Sequence, residues 1–216
     1  MRTKVWLIGS AVLAVIGGGC GGASNGRTAA GSAADLEAIY RARTDSLRNR
    51  FIEADVTFIS GMIGHHAQAI EMSKLAQTNG ASPQVQTLAG RIINAQQDEI
   101  AVMQQWLRDR KQPVPEIQSS MDATHAGHHA QMPGMLTPEQ MKQLAQAKGR
   151  EFDRLFLTDM IQHHQGAVTM VDALFKAGGG GRDEAVFKIA NDVQVDQITE
   201  INRMKQMLAN LQGGRD

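Results

Sequence analysis

Two pairs of adjacent histidines, His65-His66 and His163-His164, lie in almost the same apolar phrase: FISGMIGHHAQAIEM at 58–72 returns as FLTDMIQHHQGAVTM at 156–170. Phe, Met, Ile, His-His, Ala and Met recur at one spacing, 98 positions apart, which makes the chain two copies of one unit. An imidazole withdrawn from water needs a hydrogen-bond partner or a metal. Here the histidines keep company with Met62, Met72, Met160 and Met170. Imidazole with thioether suits copper, because thioether is a soft ligand that Cu(I) accepts.

A further group of donors stands between the copies. The stretch MDATHAGHHAQMPGM at 121–135 holds His125, His128 and His129 together with Met121, Met132 and Met135. Six such side chains in a short loop with Gly and Pro are hard to assign to packing, and His-rich loops are metal-binding candidates by composition. The competing reading is a plain connector whose composition is chance.

These donors have to be positioned by helices. Aromatic residues make up only 4% of the chain and alternating strand-like runs are missing, so the expected fold class is all-α. The first helix is expected from Asp35, as N-cap, to about Gln77, with an irregularity near Gly61 or Gly64, and the turn Asn79-Gly80-Ala81 stops it. Ser82 and Pro83 open a second helix that runs to Trp106 or Leu107. Thr137 and Gln140 have capping-box spacing and open a third, running to about Lys176 before the glycines at 178–181. A fourth from Asp183 to Leu211 repeats the second at an offset of 101, which puts a three-residue insertion in the second turn. Two helical hairpins of this kind pack as a four-helix bundle over 35–211, with 108–136 as the connecting loop.

At about 100° per residue, His66 falls within the apolar stripe of its helix and His65 and Met72 lie at the edge. In the second copy His164 is inside, with His163 and Met170 at the margin. Gln96, Glu99 and Met103 share a stripe with apolar neighbours, as do Gln197, Glu200 and Met204. An unpaired buried carboxylate would cost several kcal/mol, so Glu99 and Glu200 must meet His66, His164, a metal or water. Either a His-Glu network that fixes helix register, with methionine as filler, or a metal site satisfies that demand.

The N-terminus has its own logic. Arg2 and Lys4 precede an apolar run from Val5 to Ile16, too short for a bilayer of about 30 Å of hydrocarbon, so residues 1–20 are expected to be a signal peptide. Gly-Gly-Cys at its end resembles a bacterial lipoprotein signal, with Cys20 as the lipidated residue, although Gly17 departs from the usual aliphatic. The Gly, Ser and Ala-rich stretch 21–34 is expected to be a flexible tether. Cys20 is the only cysteine, so the mature domain has no internal disulfide. Without Arg2 and Lys4 the balance is 20 basic against 22 acidic residues, which gives no basic surface for nucleic acid.

The paired Met-Ile-x-His-His signatures, with MPGMLTPEQM at 132–141 and FDRLFLTDMIQHHQGAVTM after it, resemble the bacterial family catalogued as domain of unknown function 305. The resemblance covers roughly 45–211. It implies a ferritin-like four-helix fold in a group that includes periplasmic copper-binding proteins. The family's His-His and Met positions map onto Met62, His65, His66, Met72, Met160, His163, His164 and Met170. Gly61 stands where the second copy has Asp159.

The leading expectation is an exported, lipid-anchored protein of the cell envelope that captures copper and buffers it, sequesters it or transfers it to other envelope copper proteins. Its affinity should fall as histidines protonate near pH 6. One rival is a ferritin-like redox metalloenzyme with a site made of Glu99, Glu200, His66 and His164, although the Glu-x-x-His motif of carboxylate-bridged di-iron bundles is missing. The other is a structural adaptor that retains no metal.

Overall fold

The computed structural model describes residues 32–48, 50–117 and 132–214. Cys20, the expected signal peptide, nearly all of the expected tether, and Met121, His125, His128 and His129 lie outside the described residues. Residues up to Ile39 form a unit apart from Tyr40–Asp216. Among the described residues there is no strand, and no helix is long and apolar enough to cross a membrane.

Helix α1 spans Ala33–Arg48. Its N-cap is Ser32 and not Asp35: the Ser32 hydroxyl accepts from the Asp35 amide at 3.2 Å while the Asp35 carboxylate accepts from the Ser32 amide at 2.9 Å. Helix α2 runs Glu53–Lys74, with a turn of 3₁₀ helix at Leu75–Gln77. The chain therefore breaks before residue 53, whereas Gly61 and Gly64 lie inside unbroken helix. Ile52 is extended, with φ −121° and ψ 171°, and its amide donates to the Asp55 carboxylate at 2.9 Å.

Helix α3 spans Pro83–Asp109, with the Ser82 hydroxyl accepting from the Val85 amide as expected. The expected third helix is two: α4, Pro138–Gln146, and α5, Gly149–Lys176. Asn79 causes the break. Its side-chain amide donates to the carbonyls of Leu144, Ala145 and Ala147, and its own carbonyl accepts from the Gly149 amide at 2.8 Å. A residue that looks like a simple turn former thus caps a helix far along the chain. Helix α6 spans Glu184–Gln212, and Asp183 caps it through the amides of Ala185 and Val186.

Hairpin α2–α3 packs on hairpin α5–α6, chiefly through α2 against α5. The core divides into two apolar clusters. One takes the C-terminal half of α2 and the N-terminal half of α3, including Met72, Leu88 and Ile92, with the N-terminal half of α5 and the C-terminal half of α6, including Phe152, Met160 and Met204. The other takes the opposite halves, including Phe58, Met62, Met103, Trp106, Val171 and Val193. Exchanging the two hairpins exchanges the clusters, so the sequence repeat is a pseudo-twofold in space. Two matching clamps obey it: Asp55 accepts from the Gly181 amide at 2.7 Å, and its counterpart Asp153 accepts from the Ser82 amide at 3.1 Å.

Candidate metal centre

Between the two clusters each helix of the bundle contributes polar residues: His65 and His66 from α2, Gln96 and Glu99 from α3, His163 and His164 from α5, Gln197 and Glu200 from α6. All four histidines have no solvent exposure. The helical wheel placed His65 and His163 at stripe edges, and the structure corrects that. A wheel sees one helix, while His65 and His163 stack on each other with ring centroids 3.8 Å apart.

The carboxylates satisfy the inner pair. His66 Nε2 donates to Glu99 Oε2 at 2.6 Å, and His164 Nε2 donates to Glu200 Oε2 at the same distance. His65 Nε2 lies 3.0 Å from the Pro133 carbonyl, which can only accept, so the proton is on Nε2 and the lone pair on Nδ1. The Nδ1 atoms of His65, His66, His163 and His164 and the Nε2 of His163 have no hydrogen-bond partner. A ring whose far N–H is held by a carboxylate or carbonyl, with the other nitrogen free, has the outer-shell arrangement of a metal-binding histidine. Glu99 and Glu200 accordingly orient imidazoles.

Burial, followed by the charge on His66, lowers the His65 pKa from its ordinary 6.5 to about 3. Burial, followed by the charge on His65, lowers His163 well below its ordinary value. Both rings therefore stay neutral, with lone pairs available, in mild acid.

The turn Met132–Met135 roofs this layer, and two glycines permit it. A Cβ on Gly166 would meet the Pro133 carbonyl oxygen at 2.0 Å, and one on Gly134, at φ +77°, would meet the Gln162 carbonyl oxygen at 2.6 Å. Gln68 holds the turn from the other side, donating to the Leu136 carbonyl at 3.0 Å and accepting from its amide at 2.8 Å. The roof brings thioether with it. A Cβ on Gly61, one turn before His65, would meet Met170 Cε at 3.3 Å and Met132 Sδ at 3.4 Å.

The remaining methionines divide clearly. Met62, Met72, Met103, Met160 and Met204 are fully buried in the apolar clusters, while Met135 is 9% exposed in the roofing turn. Gln68, Pro133, Gly134 and Gly166 were missed from sequence; the glycine pair and the MPGM phrase were the available signals. Among the described residues no three His, Cys, Asp or Glu side chains are arranged to hold a metal ion by themselves.

A model of a domain of unknown function, DUF305, matches residues 55–208. The chain belongs to the DUF305 family. Solved DUF305-like structures cover most of it: CopM in the Cu(II)-bound form is 34% identical, with 72% of this chain and 96% of that chain covered and a TM-score of 0.58. CopM in the Cu(I)-bound form is 33% identical over 72% and 96%, with a TM-score of 0.56. A DUF305 protein from Streptomyces coelicolor, assigned as secreted, is 30% identical over 73% and 93%, with a TM-score of 0.60. An uncharacterized protein, L153 of Acanthamoeba polyphaga mimivirus, is 40% identical over 73 residues, 34% of this chain and 45% of that protein. This chain thus matches less than half the length of that relative. The CopM neighbours are described by the metal they carry and not by a reaction.

Proposed function

We propose that this DUF305 chain is an exported copper-binding protein of the cell envelope, anchored by a lipid on Cys20, that buffers or sequesters copper or transfers it to other envelope proteins. One observation carries the reading: buried imidazoles with free Nδ1 atoms and far sides held by Glu99, Glu200 and Pro133, under a roof that adds thioether. His65 and His163 are the central donors, with Met132 and Met170 completing the set, and His66 and His164 oriented behind them. Mixed imidazole and thioether favours copper over harder ions. The copper-bound CopM structures support the choice of metal.

His125, His128 and His129 would add capacity in the connecting loop. Copper would exchange between that loop and the roofed layer by ligand replacement. The experiment is to load the purified protein anaerobically with Cu(I) and aerobically with Cu(II), Zn(II) and Fe(II), desalt it, and measure retained metal. Copper should be retained in preference to the others. Preferential iron retention would favour a redox bundle, and retention of no metal would leave a structural one.

A further inference from the structure

The bundle keeps its pseudo-twofold in the core clusters, the His–Glu pairs and the Asp55 and Asp153 clamps, and loses it where the turn Met132–Met135 crosses the histidine layer. A single turn has no twofold of its own, so the two copies of the repeat cannot meet it alike. The difference falls at one repeat position: residues 68 and 166 are 98 apart, and are Gln in the first copy and Gly in the second. Gly166 makes room, since a Cβ there would meet the Pro133 carbonyl oxygen at 2.0 Å. Gln68 grips, donating to the Leu136 carbonyl at 3.0 Å and accepting from the Leu136 amide at 2.8 Å. It is 2% exposed, and the two bonds satisfy both ends of an amide that would be costly to leave unpaired there. On the α5 side the exposed Gln162 reaches the Gly134 carbonyl only at 3.5 Å. Fixing Leu136 fixes the turn before it, whose Met135 amide returns to the Met132 carbonyl at 3.3 Å. The effect reaches the histidines unequally. His65 Nε2 has the Pro133 carbonyl at 3.0 Å, whereas its counterpart His163 has no hydrogen-bond partner at either ring nitrogen.

We propose that Gln68 is a positioning residue of the copper centre: by latching the turn at Leu136 it holds the Pro133 carbonyl on His65 Nε2, which makes His65 a fixed donor and leaves His163 an adjustable one. This rests on the copper reading above. An outer-shell partner that fixes an imidazole governs how well the ring serves a metal, and here that partner is a backbone carbonyl whose own place depends on a side chain. Losing the latch frees the carbonyl from His65 and the Met132 thioether from its place over Gly61. Copper held at the stacked pair would then leave faster.

The test compares wild type with Gln68→Leu and with Gln68→Asn, which keeps the amide but is too short to span both Leu136 groups and carries the test if Gln68→Leu does not fold. In the metal-free, ¹⁵N-labelled proteins, solvent exchange of the His65 Nε2 proton should be about tenfold or more faster in the variants, while the Ile92 amide, buried in α3, keeps its wild-type rate. Transfer of Cu(I) from the loaded variants to a chelator should quicken by about the same factor. An unchanged His65 proton would overturn the proposal. So would equal acceleration at His65 and Ile92, the mark of a role in global stability alone. Copper retention by wild type is read separately: its absence would refute the copper reading, and the His65 proton of the metal-free protein would still decide whether Gln68 latches the turn.

Discussion

His65 and His163 occupy the same place in the two copies of the repeat and stack on each other, ring centroids 3.8 Å apart, where the pseudo-twofold passes through the bundle. The sequence repeat and side-chain chemistry therefore meet at one point: a single histidine position, present in both copies, supplies two neutral buried imidazoles. That arrangement has measurable consequences.

The first is acid sensitivity of the metal-free protein. Below pH 6.5 the unfolded chain protonates these two histidines while the folded chain does not, since burial holds His65 at about 3 and depresses His163. Their folded-state pKa values are lowered, so the stability associated with them is full above pH 6.5 and is lost as pH falls toward 3. Each contributes up to about 1.4 kcal/mol per pH unit. Denaturant melts from pH 7 to 4 should show this slope, and His65→Leu should flatten it; an unchanged slope would contradict the buried neutral state. Copper retention at this pair should also persist through pH 6, contrary to the sequence-based expectation.

Asp159 has the opposite sign. Burial raises its pKa from 3.8 to about 6 despite Arg154, so its stabilising contribution is present below 3.8 and is lost as pH rises through 6. Asp159→Asn should therefore stabilise the protein at pH 8 by about 1–2 kcal/mol, less than the full shift because solvent and Arg154 offset part of it. The difference from wild type should vanish near pH 4. Equal stability at pH 8 would show that the carboxylate is well solvated.

The roof should depend on Gly166. Its replacement by alanine puts a methyl group into the Pro133 backbone, which cannot yield as a side chain can. Gly166→Ala should cost about 1–3 kcal/mol and expose His65 and His163 to diethylpyrocarbonate. Gly61→Ala meets only the flexible ends of Met132 and Met170 and should cost less. Equal losses in the two variants would mean that the turn is not a fixed cover.

The loop histidines should behave as capacity and not as structure. Replacing His125, His128 and His129 by alanine should lower copper stoichiometry while leaving the melting temperature nearly unchanged. Undiminished stoichiometry would reduce that loop to a connector.

Much of this was legible from residues alone. The capping signals at Ser82 and Thr137 are local chemistry, and each caps a helix that starts where it was expected, although the one after Thr137 stops at Gln146. The Glu99–His66 and Glu200–His164 pairs were among the partners that periodicity allowed these carboxylates, alongside a metal or water, and the carboxylates themselves are only partly buried. What stayed hidden depends on partners distant in sequence. No glycine or proline marks the break before α2, where Asp55 recruits the Ile52 amide, and Asn79 ends α4 from 65 to 68 residues away. Likewise, the burial of His65 depends on a carbonyl 68 residues along the chain, which no helical wheel contains.

The most direct measurement is anaerobic Cu(I) competition against a chromophoric chelator, comparing wild type with the double variant His65→Leu/His163→Leu. Leucine keeps both positions apolar and removes the donors; it leaves the Pro133 carbonyl without its partner, so circular dichroism and a thermal melt of the metal-free variant must first verify that the bundle folds. The expected result is the loss of about one copper equivalent, or a weakening of the tightest equivalent by at least about tenfold. The same number of equivalents held with the same affinity would contradict a copper centre at the stacked pair.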